Sequence, residues 1–296
     1  MSDSPKPPKG GRGGGGGGGG GDSSQTTLED LTMEDSKKNF LHDGSFHLVI
    51  YPPTPSRCES FTIKARHFPP VDCSTFKGDT CHIYSEYFAP PSHPKLLKER
   101  NGRKPAFVEI GGLDGKPENS MTEIMERNGW DGLVIEATPG NYVQIASNRP
   151  CASVVEAAAG PSWGAVDFFG WGGCCSGAKS AMSDSFVKVF HSKKGSKERK
   201  YYRVRSAPIV DLFLAWGKDF VDFWVLDVEG GERQVLEGMD FDKVEVGMIM
   251  IEVSQQGGDI KEVEDLLAAA GFFKAEDFKS WNDLNSLYLN SAVWEV

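Results

Sequence analysis

Pro105-Ala106-Phe107-Val108-Glu109-Ile110-Gly111-Gly112-Leu113-Asp114-Gly115 is the stretch on which the chain turns. A strand-type apolar run ends in a carboxylate and breaks into a turn with three glycines. About 20 residues further on, Leu133-Val134-Ile135 closes on a second carboxylate, Glu136. Strand, glycine-rich turn, helix, strand and acid is the order in which a Rossmann-like α/β domain holds a ribose-bearing cofactor at the carboxyl ends of its strands. The glycines let a ligand lie against the main chain, and Glu136 is placed to accept hydrogen bonds from a ribose diol.

Charge argues against a dinucleotide. The dinucleotide fingerprint G-x-G-x-x-G sets a pyrophosphate on backbone N–H groups. Here the pattern is E-x-G-G-x-D-G, with Glu109 before the glycines and Asp114 among them. Two carboxylates beside a pyrophosphate repel it by several kcal/mol in a partly dry site. The chain has no G-x-x-x-x-G-K-[ST] either, which excludes a P-loop. S-adenosylmethionine carries no phosphate and two cations, so Glu109 and Asp114 are expected to welcome it.

Outward from this core, the chain divides unevenly. Residues 1–40, with an unbroken glycine run from Gly13 to Gly21, are too polar to offset ordering entropy and read as a disordered tail. Residues 41–100, rich in proline, read as a cap with short strands at Phe46–Tyr51 and Phe61–Ile63, the region ending in the run His82–Phe88 and a proline-rich link. Residues 101–296 read as the cofactor-binding domain. No apolar leader or membrane-length stretch is visible. The six cysteines form no C-x-x-C pair, so free thiols in the reducing cytoplasm are expected. A net charge of −10 discourages nucleic-acid partners. A basic run from Lys193 to Arg205 reads as a solvated hairpin or a patch for acidic partners.

Within the main domain, strands at about 106–110, 131–136, 152–156, 221–227 and 247–253 alternate with helices at about 119–128, 140–148, 231–238 and 260–270. Asn119 or Ser120 is expected to cap the first of these helices. Ala165–Trp171 and Tyr201–Val204 read as a β-ribbon, and Ser286–Leu289 with Ala292–Val296 as an antiparallel edge hairpin. The fold class is α/β, with a mostly parallel sheet, helices on both faces and right-handed crossovers.

A second acidic stretch is Leu226-Asp227-Val228-Glu229-Gly230-Gly231-Glu232. Asp227 closes a near-continuous apolar run, so it is expected in the same crevice as Glu109, with Glu229 beside it. Glu232 reads more simply as a charge at a helix N-terminus. Of the histidines, only His191 follows the first cofactor strand, so a base must be a carboxylate, His191, or a cap residue such as His67 or His82. G-x-S-x-G is absent, against a serine hydrolase. Magnesium on Asp227 and Glu229 needs more oxygen ligands than the sequence places, and no metal is assigned.

These residues resemble the FkbM-type S-adenosylmethionine-dependent methyltransferases. Phe107–Gly115 is similar to the F-V-[DE]-I-G-A-x-D-G signature, and Gly129–Glu136 to G-W-x-G-L-x-I-E-P. Asn141-Tyr142 and Asn148-Arg149 match N-Y…N-R, while Leu226–Glu232 matches L-D-V-E-G-x-E and Ile249–Val253 the closing I-x-I-E. Gly112 and Ala137 depart from the usual Ala and Pro. The resemblance implies a class I methyltransferase fold with S-adenosylmethionine bound by Glu109, Gly111, Gly112, Asp114, Gly115, Asn119, Glu136, Ala137, Glu156, Ala157 and Asp227. It implies transfer to a hydroxyl of a small-molecule or glycan-like acceptor, with Asp227 or Glu229 as base. A catalytically silent scaffold on the same fold is the alternative.

Overall fold

The computed structural model describes residues 39–42, 47–59, 78–88, 103–116, 119–170, 176–182, 187–188, 200–253, 260–280 and 283–295. Residues 1–38 of the expected tail, the strand at 61–63, His67, His191 and most of the basic run lie outside them, while Asn39 and Phe40, placed in the tail by the sequence, open a strand.

In chain order the elements are β1 (Asn39–His42), β2 (His47–Tyr51), α1 (Asp79–Ile83), a π-helical turn at Tyr84–Phe88, β3 (Ala106–Ile110), α2 (Glu123–Arg127), β4 (Asp131–Glu136), α3 (Asn141–Asn148) and β5 (Ala152–Glu156). There follow β6 (Ala158–Gly160), β7 (Gly164–Gly170), β8 (Gly177–Ala178), β9 (Lys200–Pro208), α4 (Ile209–Ala215), β10 (Phe220–Val221), β11 (Phe223–Leu226), α5 (Glu232–Glu237), β12 (Glu245–Val246), β13 (Met248–Glu252), α6 (Ile260–Ala269), β14 (Phe272–Lys274) and β15 (Asn285–Asn290).

The main sheet has nine strands in the order β1-β2-β5-β4-β3-β11-β13-β15-β14. The ladders among β5, β4, β3, β11 and β13 are parallel. Those at either edge are antiparallel. The sheet is therefore mixed, which corrects the mostly parallel expectation. Strand alternation explains the core. Val108, Ile110, Leu133, Ile135, Trp224 and Leu226 join one hydrophobic cluster with side chains of α4, α5 and α6. Phe107, Val134, Phe223 and Val225 join another with side chains of α1, α2 and α3.

Several local expectations change. Residues 47–51 pair with β5 as part of the main sheet rather than as a separate cap, and Tyr51 stacks on Tyr142 with ring centroids 4.8 Å apart. Residues 79–88 are helical, which buries Ile83 and Tyr87 in the second cluster. The edge hairpin pairs β14 with β15. Beyond β15 the chain turns back, with the Val293 and Trp294 N–H groups donating to the Asn290 carbonyl and Trp294 buried. Cys58 and Cys151 form a disulfide rather than free thiols.

The ribbon expectation holds: β7 and β9 pair antiparallel from Gly164–Ser206 to Gly170–Lys200 and belong to a four-stranded sheet β6-β9-β7-β8.

Candidate functional site

The central strands end together, and their register fixes what meets there. Ile110 pairs with Leu226, and Leu226 with Ile251. One residue further on, Gly111, Asp227 and Glu252 stand side by side. The approach is close at Gly111, where φ is +94° and a Cβ would lie 2.0 Å from the Asp227 carbonyl oxygen. Only glycine fits there.

A cavity of about 230 Å³ opens at these strand ends. Its floor is Ile110, Gly111, Ile135, Glu136 and Ala137; Ala157 to Pro161 and the β-ribbon residues Val166, Phe168 and Ala178 form one wall, and Asp227, Val228, Gln234 and Val235 another. The walls are apolar and the polar groups few, as in a pocket that orients a mostly apolar ligand through a handful of contacts. Gln234 Oε1 is buried here without a hydrogen-bond partner, an acceptor available to a ligand N–H or O–H.

Glu136 is set by its own backbone surroundings. Oε2 accepts from the Leu113 N–H at 2.8 Å and Oε1 from the Thr138 N–H at 2.7 Å. Burial pushes its carboxyl above the usual range, against these two bonds. With the Thr138 hydroxyl donating as well, one of the carboxylate's four accepting positions is left for a further donor.

Three carboxylates gather beside Asp227. Asp227, Glu229 and Glu252 each bring an oxygen within 4.8 Å of the others. Two carboxylates this close repel by about 3 kcal/mol at an effective dielectric of about 20. Burial, then Glu252 and Glu229, holds the Asp227 carboxyl well above the usual range. Glu229 adopts a left-handed backbone, φ 58°. Glu232 is wholly buried; its Oε1 accepts from the Val228 and Gly230 N–H groups, while Oε2 is buried with no hydrogen-bond partner. Burial pushes its carboxyl up to about 7.

Of the residues expected in the site, Gly111, Glu136, Ala137, Ala157 and Asp227 line the cavity, with Glu229 adjoining. Glu109 does not. It faces the opposite side of the sheet, where Oε2 is 3.1 Å from Arg149 Nη1 and Oε1 accepts from the Met121 N–H at 2.7 Å. Arg149 is fully buried and also pairs with Glu126. Asp114 bonds Asn119 and pairs with Lys116 Nζ at 3.0 Å, so Asn119 braces the loop instead of capping α2. The expectation that Glu109 and Asp114 supply negative charge for a cofactor cation is thus corrected: Arg149 and Lys116 already balance them. Gly112 and Gly115 are packing glycines, against Val134 and against Arg149 and Ile145. Glu156 accepts from the Gly140 N–H at 2.8 Å.

Sequence reasoning missed Glu252, although its I-x-I-E segment was in view, and the alanine-rich wall with its ribbon. Arg149 stood in the N-R pair without a role; Asn148 beside it donates to the Asp114 carbonyl at 2.8 Å.

Residues 109–274 match the model of the methyltransferase FkbM domain. Among solved structures, the chain is similar to a TehB-like SAM-dependent methyltransferase from Corynebacterium glutamicum, at 12% identity and TM-score 0.39 over 80% of this chain and 100% of that one. It is similar to methyltransferase FkbM from Methylobacillus flagellatus KT at 14% identity and TM-score 0.40, over 79% of this chain and 59% of that one. The N-terminal domain of human METTL16 in complex with SAH matches at 12% identity and TM-score 0.31, over 67% of this chain and 64% of that one. No curated protein matches the chain.

Proposed function

The chain belongs to the methyltransferase FkbM domain family and is an S-adenosylmethionine-dependent methyltransferase; from that premise we propose that it methylates a hydroxyl oxygen of a small-molecule or glycan-like acceptor. The observation that carries the proposal is the placing of a carboxylate, Asp227, on the wall of a cavity that also holds the strand-end acid Glu136.

The residues fit the cofactor. Glu136 lines the cavity with an accepting position left for a ribose hydroxyl, Gly111 leaves the backbone bare, and the buried Gln234 Oε1 is an acceptor in need of a donor. When bound, S-adenosylmethionine supplies an electrophilic methyl group on a sulfonium. The chain's part is to position the acceptor for in-line approach and to take its proton. A hydroxyl oxygen gains the methyl carbon only as its O–H proton leaves. A carboxyl held above its ordinary range by burial and like charge, as at Asp227, is a better base once ionised than one in water. Glu229 stands next to it as the alternate acceptor.

Among the described residues no helix is long and apolar enough to cross a membrane. A cytoplasmic location, proposed from the sequence, has to accommodate the Cys58–Cys151 disulfide, which persists more readily in oxidising compartments. Thiol labelling of protein taken from intact cells tests it: two labelled cysteines at these positions support the cytoplasm.

Transfer of labelled methyl from the cofactor to a panel of hydroxyl, amine and thiol acceptors tests the reaction. Labelling confined to hydroxyl compounds is expected. Transfer to amines or thiols alone overturns the oxygen assignment.

A further inference from the structure

We propose that Asp227, Glu229 and Glu252, backed by Glu232, hold a hard divalent cation of the magnesium or manganese class at the edge of the cavity. The ion's presence follows from these residues alone; its role rests on the methyltransferase reading above.

The geometry suits one ion. Oxygens bind such cations at about 2.0–2.6 Å, so two on opposite sides of one ion lie about 4–5 Å apart. The three carboxylates offer oxygens within 4.8 Å of one another, the span of a single coordination shell. The ligands come from two neighbouring strand ends and the loop that follows β11, so small side-chain rotations close the shell without moving the sheet.

The second observation is Glu232. Its side chain is wholly buried, Oε1 is engaged by two backbone N–H groups, and Oε2 has no hydrogen-bond partner. A buried carboxylate oxygen left bare costs free energy unless a cation or donor reaches it. Glu232 Oε1 accepts from the N–H groups of Val228 and Gly230, the residues on either side of Glu229, which places Glu232 against the same loop. All-oxygen, all-anionic donors select hard cations over zinc or copper. Glu252, which the sequence alone did not bring into the site, is the extra oxygen ligand that such an ion needs beside Asp227 and Glu229.

The consequence for the reaction concerns charge. An ion here keeps the carboxylates ionised together and, because Asp227 lines the cavity, can offer a coordination position to an acceptor oxygen, lowering that hydroxyl's pKa.

The test uses the full chain, stripped with chelator, titrated with manganese and followed by the loss of the free-ion paramagnetic signal. One saturable site is expected, competed by magnesium and present without cofactor. Glu252→Gln and Asp227→Asn should each weaken it at least tenfold, whereas Asp265→Asn, on exposed α6, should leave it unchanged. No saturable site in the stripped protein overturns the proposal, as does a site that Glu252→Gln leaves intact. Calorimetry of S-adenosylmethionine binding to the same stripped protein separates the two readings. Cofactor binding without metal binding sinks the ion alone, and metal binding without cofactor binding sinks the methyltransferase role while leaving the site.

Discussion

Two groups of acids, one buried and the other half-buried apart from Glu232, sit on opposite faces of the same sheet, and they differ in what neutralises them. On the α3 side, Glu109 and Glu126 share Arg149, which is fully buried and bonds Ser120 and Thr122 as well. Its guanidinium is held above its ordinary range: burial would lower it, but the carboxylates of Glu126 and Glu109 outweigh burial. On the cavity side, Asp227, Glu229, Glu252 and Glu232 are gathered with mutual repulsion as the dominant electrostatic effect after burial. Burial of a charge is tolerated when it is paired and hydrogen-bonded, and otherwise shifts the group toward its neutral form. The first group is therefore part of the scaffold. The second gathers like charge beside a cavity, which is the mark of a functional site.

The largest way to break this contrast is to remove the cation from the α3 side. Arg149→Met leaves Glu109 and Glu126 buried with no counter-charge, and the expected loss is about 3–5 kcal/mol of unfolding free energy. Urea denaturation measures it. A loss below about 1 kcal/mol would show that the acids relax into water, and the distinction between the two groups would collapse.

Acid–base behaviour sharpens the other side. Glu232 has its carboxyl raised from 4.5 to about 7 by burial. A raised acid binds its proton more tightly folded than unfolded, so its contribution is fully present below the unfolded value and lost as pH rises through the folded one. Chelator-treated protein should thus lose roughly 3 kcal/mol between pH 4.5 and 8 from this group alone. Asp227 is shifted in the same direction and steepens the slope. Asp114 and Asp131 are shifted down, so the stability they add is lost only on the acid side of this window. Glu232→Gln should flatten the curve; an unchanged slope would remove Glu232 from the cluster. Saturating magnesium should also flatten it.

Function should follow the cavity-side group. Asp227→Asn keeps the shape and removes one charge, so methyl transfer is expected to fall by about a hundredfold, about 2.7 kcal/mol at the barrier. Stability should hold or rise, because repulsion is relieved. Near-normal turnover in the variant would make Asp227 a strand-end cap and move the base elsewhere.

How much of this was legible in the chain depended on distance along it. The strands could be read because their apolar runs are continuous, and Asp227 and Glu136 because each closes such a run. Glu109 had the same local look as Asp227. What separates them is which face of the sheet each turns to and whether a cation arrives, and Arg149 comes from 40 residues later. Glu252 meets Asp227 only through the register of β11 and β13. The disulfide joins residues 93 apart, and the ribbon wall depends on a second sheet. Local pattern carries secondary structure and strand ends; partner choice across the sheet is a tertiary property.

The smallest expected effect concerns Glu136, a buried acid outside both groups, which tests whether the contrast extends to the cofactor. Its two oxygens are already braced by the Leu113 and Thr138 N–H groups, so the carboxylate is held in place before any ligand arrives. Preorganisation of this kind lowers the ordering cost of binding. Each charge-assisted bond to a ribose hydroxyl contributes roughly 1.5–3 kcal/mol, part of which water returns when the side chain is removed. Glu136→Ala should therefore weaken S-adenosylmethionine at least tenfold, about 1.4 kcal/mol, by calorimetry. The same change frees the Leu113 N–H, whose residue sits at φ 49° in the glycine loop, so a structural role predicts a loss of melting temperature as well. Glu136→Gln separates the two, because its amide oxygen retains an acceptor for one N–H while the charge is gone. Weakened cofactor binding with an unchanged melting temperature in Glu136→Gln would fix the carboxylate as a ligand; unchanged affinity with a lowered melting temperature would make it a brace for the loop, and the ribose contact would have to be sought at another acceptor on the cavity wall, with Gln234 Oε1 the first to examine.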